Sequence, residues 1–157
     1  MSIERSMKQF EDDRIESVKL AARLLLASGT TAPRVGGVGE CTIQILDDPR
    51  DIEDLCQAME DMATESKAWG KIFPREAAIL RDADAVLIIT SLRSVTDPAD
   101  INCNMCGKLT CEYLREAERI PPGEGVAYAG PLCIFRANNV AYAIDGVVSQ
   151  ARNLGID

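Results

Sequence analysis

The spacing of apolar residues predicts helices at both ends of the chain. In residues 10–28 apolar side chains recur at helical spacing. They form one face that consists of Ile15, Val18, Ala22 and Leu25. Gly29 follows directly, and glycine is a typical residue at a helix end. In the C-terminal part, the same spacing recurs at Ile134, Ala137, Ala141, Ile144 and Val148. We therefore expect a first helix that ends at Gly29 and a long last helix.

The middle of the chain predicts two strands with helices between them. Residues 41–46 form a short strand by their alternation, and Asp48 followed by Pro49 is typical of a helix start. The apolar face of that helix consists of Ile52, Leu55, Cys56, Met59 and Ala63. Residues 75–92 predict a short helix that leads into a buried strand, VLIITSL. The expected fold class is α/β or α+β, with a small central sheet and packed helices.

No shift in composition divides the chain, so residues 1–157 are expected to form a single domain. The turn-rich stretch PPGEG, at residues 121–125, is a candidate hinge within it. The glycine-rich stretch VGGVG, at residues 35–39, is expected to be a loop. It lacks both the lysine of a phosphate-binding P-loop and the preceding strand of a dinucleotide site.

The charge balance excludes several classes of partner. The chain has 17 Lys and Arg against 25 Asp and Glu, a net charge of -8. Binding to nucleic acid or to an anionic membrane surface requires clustered positive charge, so neither is expected. The N-terminal residues are charged throughout, and no apolar run is long enough to span a bilayer. We therefore expect a cytoplasmic protein, whose cysteines stay reduced.

The sequence contains no histidine, which excludes several kinds of catalytic and metal-binding site. Ser-His-Asp and Cys-His catalysis, His-bound haem, Rieske ligation and zinc sites that need imidazole are all excluded. The six cysteines are then the only soft metal ligands in the sequence.

Three of these cysteines lie close together. Cys103, Cys106 and Cys111 are spaced C-x2-C-x4-C, and Cys133 follows 22 positions later. Gly107 after the second cysteine allows a positive φ, which lets the backbone approach a metal centre. Cys111 lies near the start of a helix predicted over residues 109–119, where the positive helix end favours a thiolate. The pattern is typical of an iron–sulfur cluster held by four thiolates, with a zinc site and unligated thiols as alternatives.

The stretch CNMCGKLTCEYL resembles the four-iron ferredoxin-type domain, whose signature is C-x2-C-G-x3-C followed by a helix and a fourth cysteine. Beyond it, the stretches TTAPRVGG, REAAILRDADAVLII and PLCIFRANNVAYAIDGVVSQARNLGID resemble a prokaryotic family of ferredoxin-domain-containing proteins of unknown function. That resemblance implies a 4Fe–4S cluster bound within residues 97–140. The ligands that it implies are Cys103, Cys106, Cys111 and Cys133. Members of that family continue beyond the ending matched by Asp157, so an activity of that further segment is not expected here.

Two other cysteines compete with Cys133 for the place of fourth ligand. Cys56 lies on an apolar helix face and Cys41 begins an alternating strand, so a core position is favoured for both. Cys133 instead follows a Gly-Pro turn, which exposes the backbone. Lys108 and Arg115 flank the motif, where they stabilise the negative charge of a cluster, dock an acidic partner or face solvent.

A fainter resemblance connects the order helix, APRVGG loop, strand and late AIDGVVSQARNLGI helix with the nitroreductase family. It implies FMN at a homodimer interface. The arginine-rich phosphate motif of that family is missing, and only Arg34 occupies a comparable place. The leading hypothesis is cytosolic one-electron transfer to a redox partner protein. An FMN-dependent reductase fed by the cluster, and a non-enzymatic redox sensor or assembly subunit, are the alternatives.

Overall fold

The computed structural model describes residues 3–37, 41–91, 100–118, 120 and 130–156. The helices within these ranges are α1 (Ile3–Thr30), α2 (Pro49–Glu65), α3 (Phe73–Leu80), α4 (Cys111–Glu116) and α5 (Ile134–Leu154). The strands are β1 (Cys41–Leu46) and β2 (Val86–Ser91), and 3₁₀ turns occupy Val35–Gly37 and Trp69–Lys71. The mixture of helices with a small sheet confirms the predicted α/β or α+β class.

The two strands pair antiparallel, with Cys41 opposite Ser91 and Leu46 opposite Val86. β1 matches its predicted bounds. Its alternation holds at Cys41 and Ile43, which are buried, but breaks at the end of the strand, where Leu46 is buried and Ile45 is half-buried. β2 was expected to be a buried strand, but its residues are half-buried or exposed. In the described part of the chain this sheet has only two strands, so β2 lacks the second strand neighbour that a fully buried central strand has.

The first helix is longer than predicted at both ends, and Gly29 does not terminate it. A side chain at Gly29 would collide with Ile43 and would place its Cβ 2.8 Å from Val147 Cγ2. At the same crossing, Ser28 Oγ donates to the carbonyl of Gly146 at 2.8 Å. Gly29 therefore serves close packing of α1 against α5 and β1, and helical hydrogen bonding continues past it.

α2 begins as predicted, with Pro49 in its first turn and the Asp48 carboxylate accepting from the Arg50 amide at 2.8 Å. Its apolar face packs on α3 and β1 in a core that contains Leu46, Ile52, Cys56 and Ala77. At the end of α3, Arg81 donates to Glu53 and Glu60 of α2, with shortest distances of 2.9 and 2.7 Å. α3 and α2 are thus joined by both apolar and ionic contacts.

The apolar stripe predicted for α5 is not the face that the fold buries. Asn139 and Ala143 are buried, whereas Ile144 and Val148 are 45% and 59% exposed. The Asn139 side-chain oxygen accepts from the Val35 amide at 2.8 Å, so a polar residue is satisfied inside the fold. Small residues on the side of α5 that contains Asn139 and Ala143 allow α1 to approach closely, and this approach determines which face of α5 is buried.

No helix in the described ranges is long and apolar enough to cross a membrane. The predicted hinge at residues 121–125 lies outside the described residues, as does part of the expected cluster-binding region 97–140.

Candidate metal centre

The loop that carries Cys103 and Cys106 has three left-handed residues within six positions. Asn102, Asn104 and Gly107 have φ values of 52°, 58° and 77°. Asparagine tolerates this region better than other residues with side chains, and glycine enters it freely. The Gly107 amide donates to the Asn104 carbonyl at 3.0 Å and closes a turn around Cys106. The positive φ expected at Gly107 is confirmed.

Cys111 is the first residue of α4, and two polar side chains fix this helix start. Thr110 caps the helix by accepting from the Tyr113 amide at 3.3 Å, and Asn102 accepts from the Cys111 amide at 2.8 Å. Asn102 thus ties the loop before Cys103 to the helix that carries Cys111. α4 is shorter than the helix predicted over residues 109–119.

Cys133 lies at the N-terminus of the other helix at this site, directly before Ile134. Ile120 and Gly130 exchange backbone hydrogen bonds of 2.9 and 3.1 Å, which brings the chain back toward α4. The Gly130–Pro131 bond is cis. Two of the four predicted ligands, Cys111 and Cys133, therefore lie at the starts of two helices.

Asp100 is the chief influence on the pKa of Cys111. A hydrogen bond to its carboxylate, followed by burial, raises the pKa of the Cys111 thiol. Hydrogen bonds from Cys111 and Arg115 lower the pKa of Asp100, and the Arg115 guanidinium lies 2.5 Å from this carboxylate. The expectation that the helix start favours a thiolate at Cys111 is wrong for the protein as it stands, because Asp100 and burial outweigh the helix end.

Sequence reasoning missed both Asp100 and Asn102, which precede the first cysteine of the motif. The signal was present, since asparagine and aspartate readily accept hydrogen bonds from nearby backbone and tolerate left-handed φ. Arg115, for which the sequence left open charge stabilisation of a cluster, docking of an acidic partner or solvation, pairs with Asp100.

The four predicted ligands are free cysteines of intermediate exposure. Among the described residues, no three cysteine, aspartate or glutamate side chains form a group that could hold a metal ion. The donor types suit an iron–sulfur cluster, and the fold brings Cys111 near Cys133. Cys103 and Cys106 do not complete a group with that pair.

Cys41 and Cys56 occupy the core, in agreement with the interpretation favoured from sequence. Cys41 is buried in β1. Cys56 is fully buried, its Sγ donates to the Ala77 carbonyl at 3.4 Å, and burial raises the pKa of this thiol.

Residues at the start of the glycine-rich loop make hydrogen bonds to other parts of the chain. The Val35 amide donates to Asn139, and the Arg34 guanidinium donates to the Thr30 carbonyl at 2.9 Å. Gly36 and Gly37 have φ values of 70° and 71°. Residues 38 and 39 lie outside the described ranges. The Arg34 guanidinium and the Val35 amide therefore both have partners within the chain.

A shallow groove of about 460 Å³ opens beside the cysteine loop. It is lined by Gly107, Lys108, Leu109, Tyr113, Glu116 and Ala117. Leu109 and Tyr113 are 75% and 55% exposed, and Met105 nearby in sequence is 67% exposed. The surface next to the motif is therefore largely apolar.

The fold and site define a mixed helix-and-strand protein with a cysteine-bearing loop between its second strand and its last helix. An uncharacterized protein from Archaeoglobus fulgidus is 33% identical over 148 residues, which cover 94% of this chain and 74% of that protein. The chain belongs to the same family as this archaeal protein. No protein-family model matches the sequence. No solved structure matches it either.

Proposed function

We propose that the chain binds one 4Fe–4S cluster through Cys103, Cys106, Cys111 and Cys133, and that it transfers single electrons in the cytosol. The observation that carries the proposal is the C-x2-C-G-x3-C loop, in which Gly107 has the expected left-handed conformation. Four thiolates are the usual ligands of such a cluster, and a chain without histidine offers no imidazole alternative.

The backbone of the loop supports this proposal. Left-handed residues at Asn102, Asn104 and Gly107 alternate with other conformations, and successive N–H groups in such turns form concave sites for anions. A cluster with four thiolate ligands carries net negative charge. A loop of this shape can therefore donate hydrogen bonds to the ligating sulfur atoms, which stabilises their charge.

The position of Cys133 gives a second line of support. Cys133 is the N-cap of α5, where unpaired backbone N–H groups and the positive end of the helix dipole favour negative charge. At Cys111 the Asp100 carboxylate and burial oppose this effect. The bridge between Ile120 and Gly130 holds the second helix start near the first. In this proposal Cys103 and Cys106 join the pair when the cluster is inserted, because metal sites commonly form together with local folding.

When bound, the cluster would store one electron at a potential set by cysteine ligation, hydrogen bonds to sulfur and solvent exposure. The chain supplies the thiolates, the loop amides and an accessible surface. The groove lined by Leu109 and Tyr113 would be the docking face for the redox partner protein, since exposed apolar surface next to a redox centre permits close approach.

Metal analysis of the anaerobically purified chain tests cluster binding. We expect about four iron and four sulfide per chain, with single alanine variants at Cys103, Cys106, Cys111 or Cys133 losing most of both. Cys41→Ala and Cys56→Ala are matched controls that keep the iron, because these thiols lie in the core. Zinc instead of iron, or full iron in Cys133→Ala, would contradict the proposed site.

Electron transfer requires a separate measurement. We expect an anaerobic titration with a low-potential reductant to give a reversible electron paramagnetic resonance signal without loss of iron, because a carrier must accept and return one electron with its four thiolate ligands in place. Loss of iron in the first cycle would overturn the carrier function and favour a sensor or structural role. A yellow chromophore besides iron and sulfide would favour the FMN-dependent reductase.

A further inference from the structure

The side chain of Asn102 holds the backbone of one proposed ligand. Its oxygen Oδ1 accepts a hydrogen bond from the Cys111 amide at 2.8 Å, although the two residues are nine positions apart. Asn102 itself directly precedes Cys103 and has left-handed backbone, with a φ of 52°. Few residues with a side chain tolerate this conformation, and asparagine is one of them. The position therefore combines an uncommon backbone conformation with a hydrogen-bond acceptor for the start of α4.

The hydrogen bond to Asn102 uses the only hydrogen atom of the Cys111 amide. Its length of 2.8 Å lies at the short end of the range for N–H···O bonds. Because a backbone amide has one N–H, this group is not free to donate to a sulfur atom. The Gly107 amide is committed in the same way, to the Asn104 carbonyl at 3.0 Å. Of these two bonds, only that of Cys111 can be removed by changing a side chain.

Hydrogen bonds to the sulfur atoms of an iron–sulfur cluster are among the factors that set its reduction potential. Reduction by one electron adds one negative charge. An N–H donor stabilises the more negative state, so each hydrogen bond to sulfur raises the potential. An amide that a protein oxygen withholds contributes no such stabilisation. The bond between Asn102 and Cys111 therefore favours a low potential.

We propose that Asn102 is a positioning residue that withholds the Cys111 amide from the sulfur atoms of the bound cluster and so keeps the reduction potential low. This inference rests on the proposed function, and it adds a residue that the C-x2-C-G-x3-C motif does not contain. Asn102 acts through the backbone of a ligand. Asparagine suits this role because it accepts the hydrogen bond without a charge of its own.

The midpoint potential of the iron-loaded chain, measured by anaerobic redox titration, tests the proposal. Asn102→Gly removes the acceptor and still permits left-handed backbone, so we expect its potential to shift upward from that of the wild type. Asn102→Asp retains an acceptor and the tolerance of this conformation, and its potential should be no higher than that of the wild type. An unchanged or lower potential in Asn102→Gly, or equal upward shifts in both variants, would overturn the proposal.

Asn104→Gly is the matched control for the loss of an asparagine side chain in the same loop. Asn104 is also left-handed, with a φ of 58°, but its hydrogen bond to Gly107 comes from its backbone carbonyl. The glycine variant retains that carbonyl, so its potential should stay at the wild-type value. An upward shift as large as that of Asn102→Gly would overturn the proposal, because the Cys111 amide would then not be its cause.

A measurement on the iron-free chain keeps the proposal testable if Asn102→Gly does not retain iron. Hydrogen exchange of the Cys111 amide, followed by NMR, should be about fivefold faster or more in Asn102→Gly, because this amide has lost its acceptor. Asn102→Asp and Asn104→Gly should keep the slower rate. Equal rates in all four proteins would overturn the inference and leave the proposed function intact. A wild-type chain that binds no iron after anaerobic reconstitution would overturn the proposed function, and the inference with it.

Discussion

The helical body (described residues 3–91 and 134–156) and the cysteine segment (residues 100–118) are stabilised in different ways. All buried residues of the described structure lie in the helical body, where apolar side chains from several elements meet. The cysteine segment contains none, and its Ile101, Met105 and Leu109 are all at least 60% exposed. Burial holds the body together, and it contributes little to the segment.

Polar contacts take the place of a core in the cysteine segment. Asn102 caps the Cys111 amide, and Asp100 pairs with Arg115. A single hydrogen bond contributes about 1 kcal/mol net, and a left-handed asparagine costs a comparable amount. The segment therefore has a small stability of its own, and a ligand bound by its cysteines would determine whether it stays ordered.

Removal of the proposed cluster should produce the largest difference between the two regions. We expect amide hydrogen exchange in residues 100–118 to accelerate by about two orders of magnitude or more after chelation under anaerobic conditions, because binding energy is lost only there. Exchange in α2 and β1 should change little, and the thermal midpoint should fall. Unchanged exchange in the segment would mean that the cluster does not order it.

Truncation of one apolar side chain in each region gives the next largest contrast. Ile52→Ala should reduce the free energy of unfolding by about 2–5 kcal/mol, because it leaves a cavity in the core. Leu109→Ala is the matched change in the segment and should cost no more than about 0.5 kcal/mol, since this side chain is 75% exposed. Urea titration measures both, and similar losses would contradict the comparison.

The glycines of the two regions should differ in what they tolerate. Gly29→Ala should destabilise by about 1–3 kcal/mol through a collision with Ile43 and Val147, and Gly29→Asn should be worse. Gly107 has open space around it and a φ of 77°. There asparagine should be better tolerated than alanine, because it accepts left-handed backbone. Thermal unfolding measures the stability of all four variants. If the alanine and asparagine variants rank in the opposite order at either glycine, the role described for that glycine is wrong.

The smallest effect concerns the ion pairs on the surface of the body. Hydrogen bonds from Arg81 lower the pKa of Glu53 and Glu60 below the ordinary value of 4.5. Because their folded-state pKa is depressed, these carboxylates contribute stability above pH 4.5, and it is lost as the pH falls through their folded pKa. The thermal midpoint of Arg81→Met should therefore fall less steeply with acid than that of the wild type. Arg50→Met, at a side chain that is 91% exposed, is the control and should follow the wild-type curve.

Local signals in the sequence were sufficient to predict several structural features of this protein. The bounds of β1, the start of α2 at Asp48 and Pro49, and the positive φ of Gly107 all depend on neighbours within a few residues. Caps, alternation and glycine conformation act over that range, so their physical causes are present in the sequence itself. The core positions of Cys41 and Cys56 followed from the same patterns.

Contacts between distant residues decided the rest. Gly29 lies within helix α1, where Ile43 and Val147 pack closely against it, and α5 buries Asn139, whose side-chain oxygen accepts from the Val35 amide. The raised pKa of Cys111 depends chiefly on a hydrogen bond to Asp100, eleven positions earlier, and on burial. The position of Cys133 depends on how the chain returns through Ile120 and Gly130. Periodicity identifies the apolar stripe of a helix, but the partner that approaches the helix determines which face is buried.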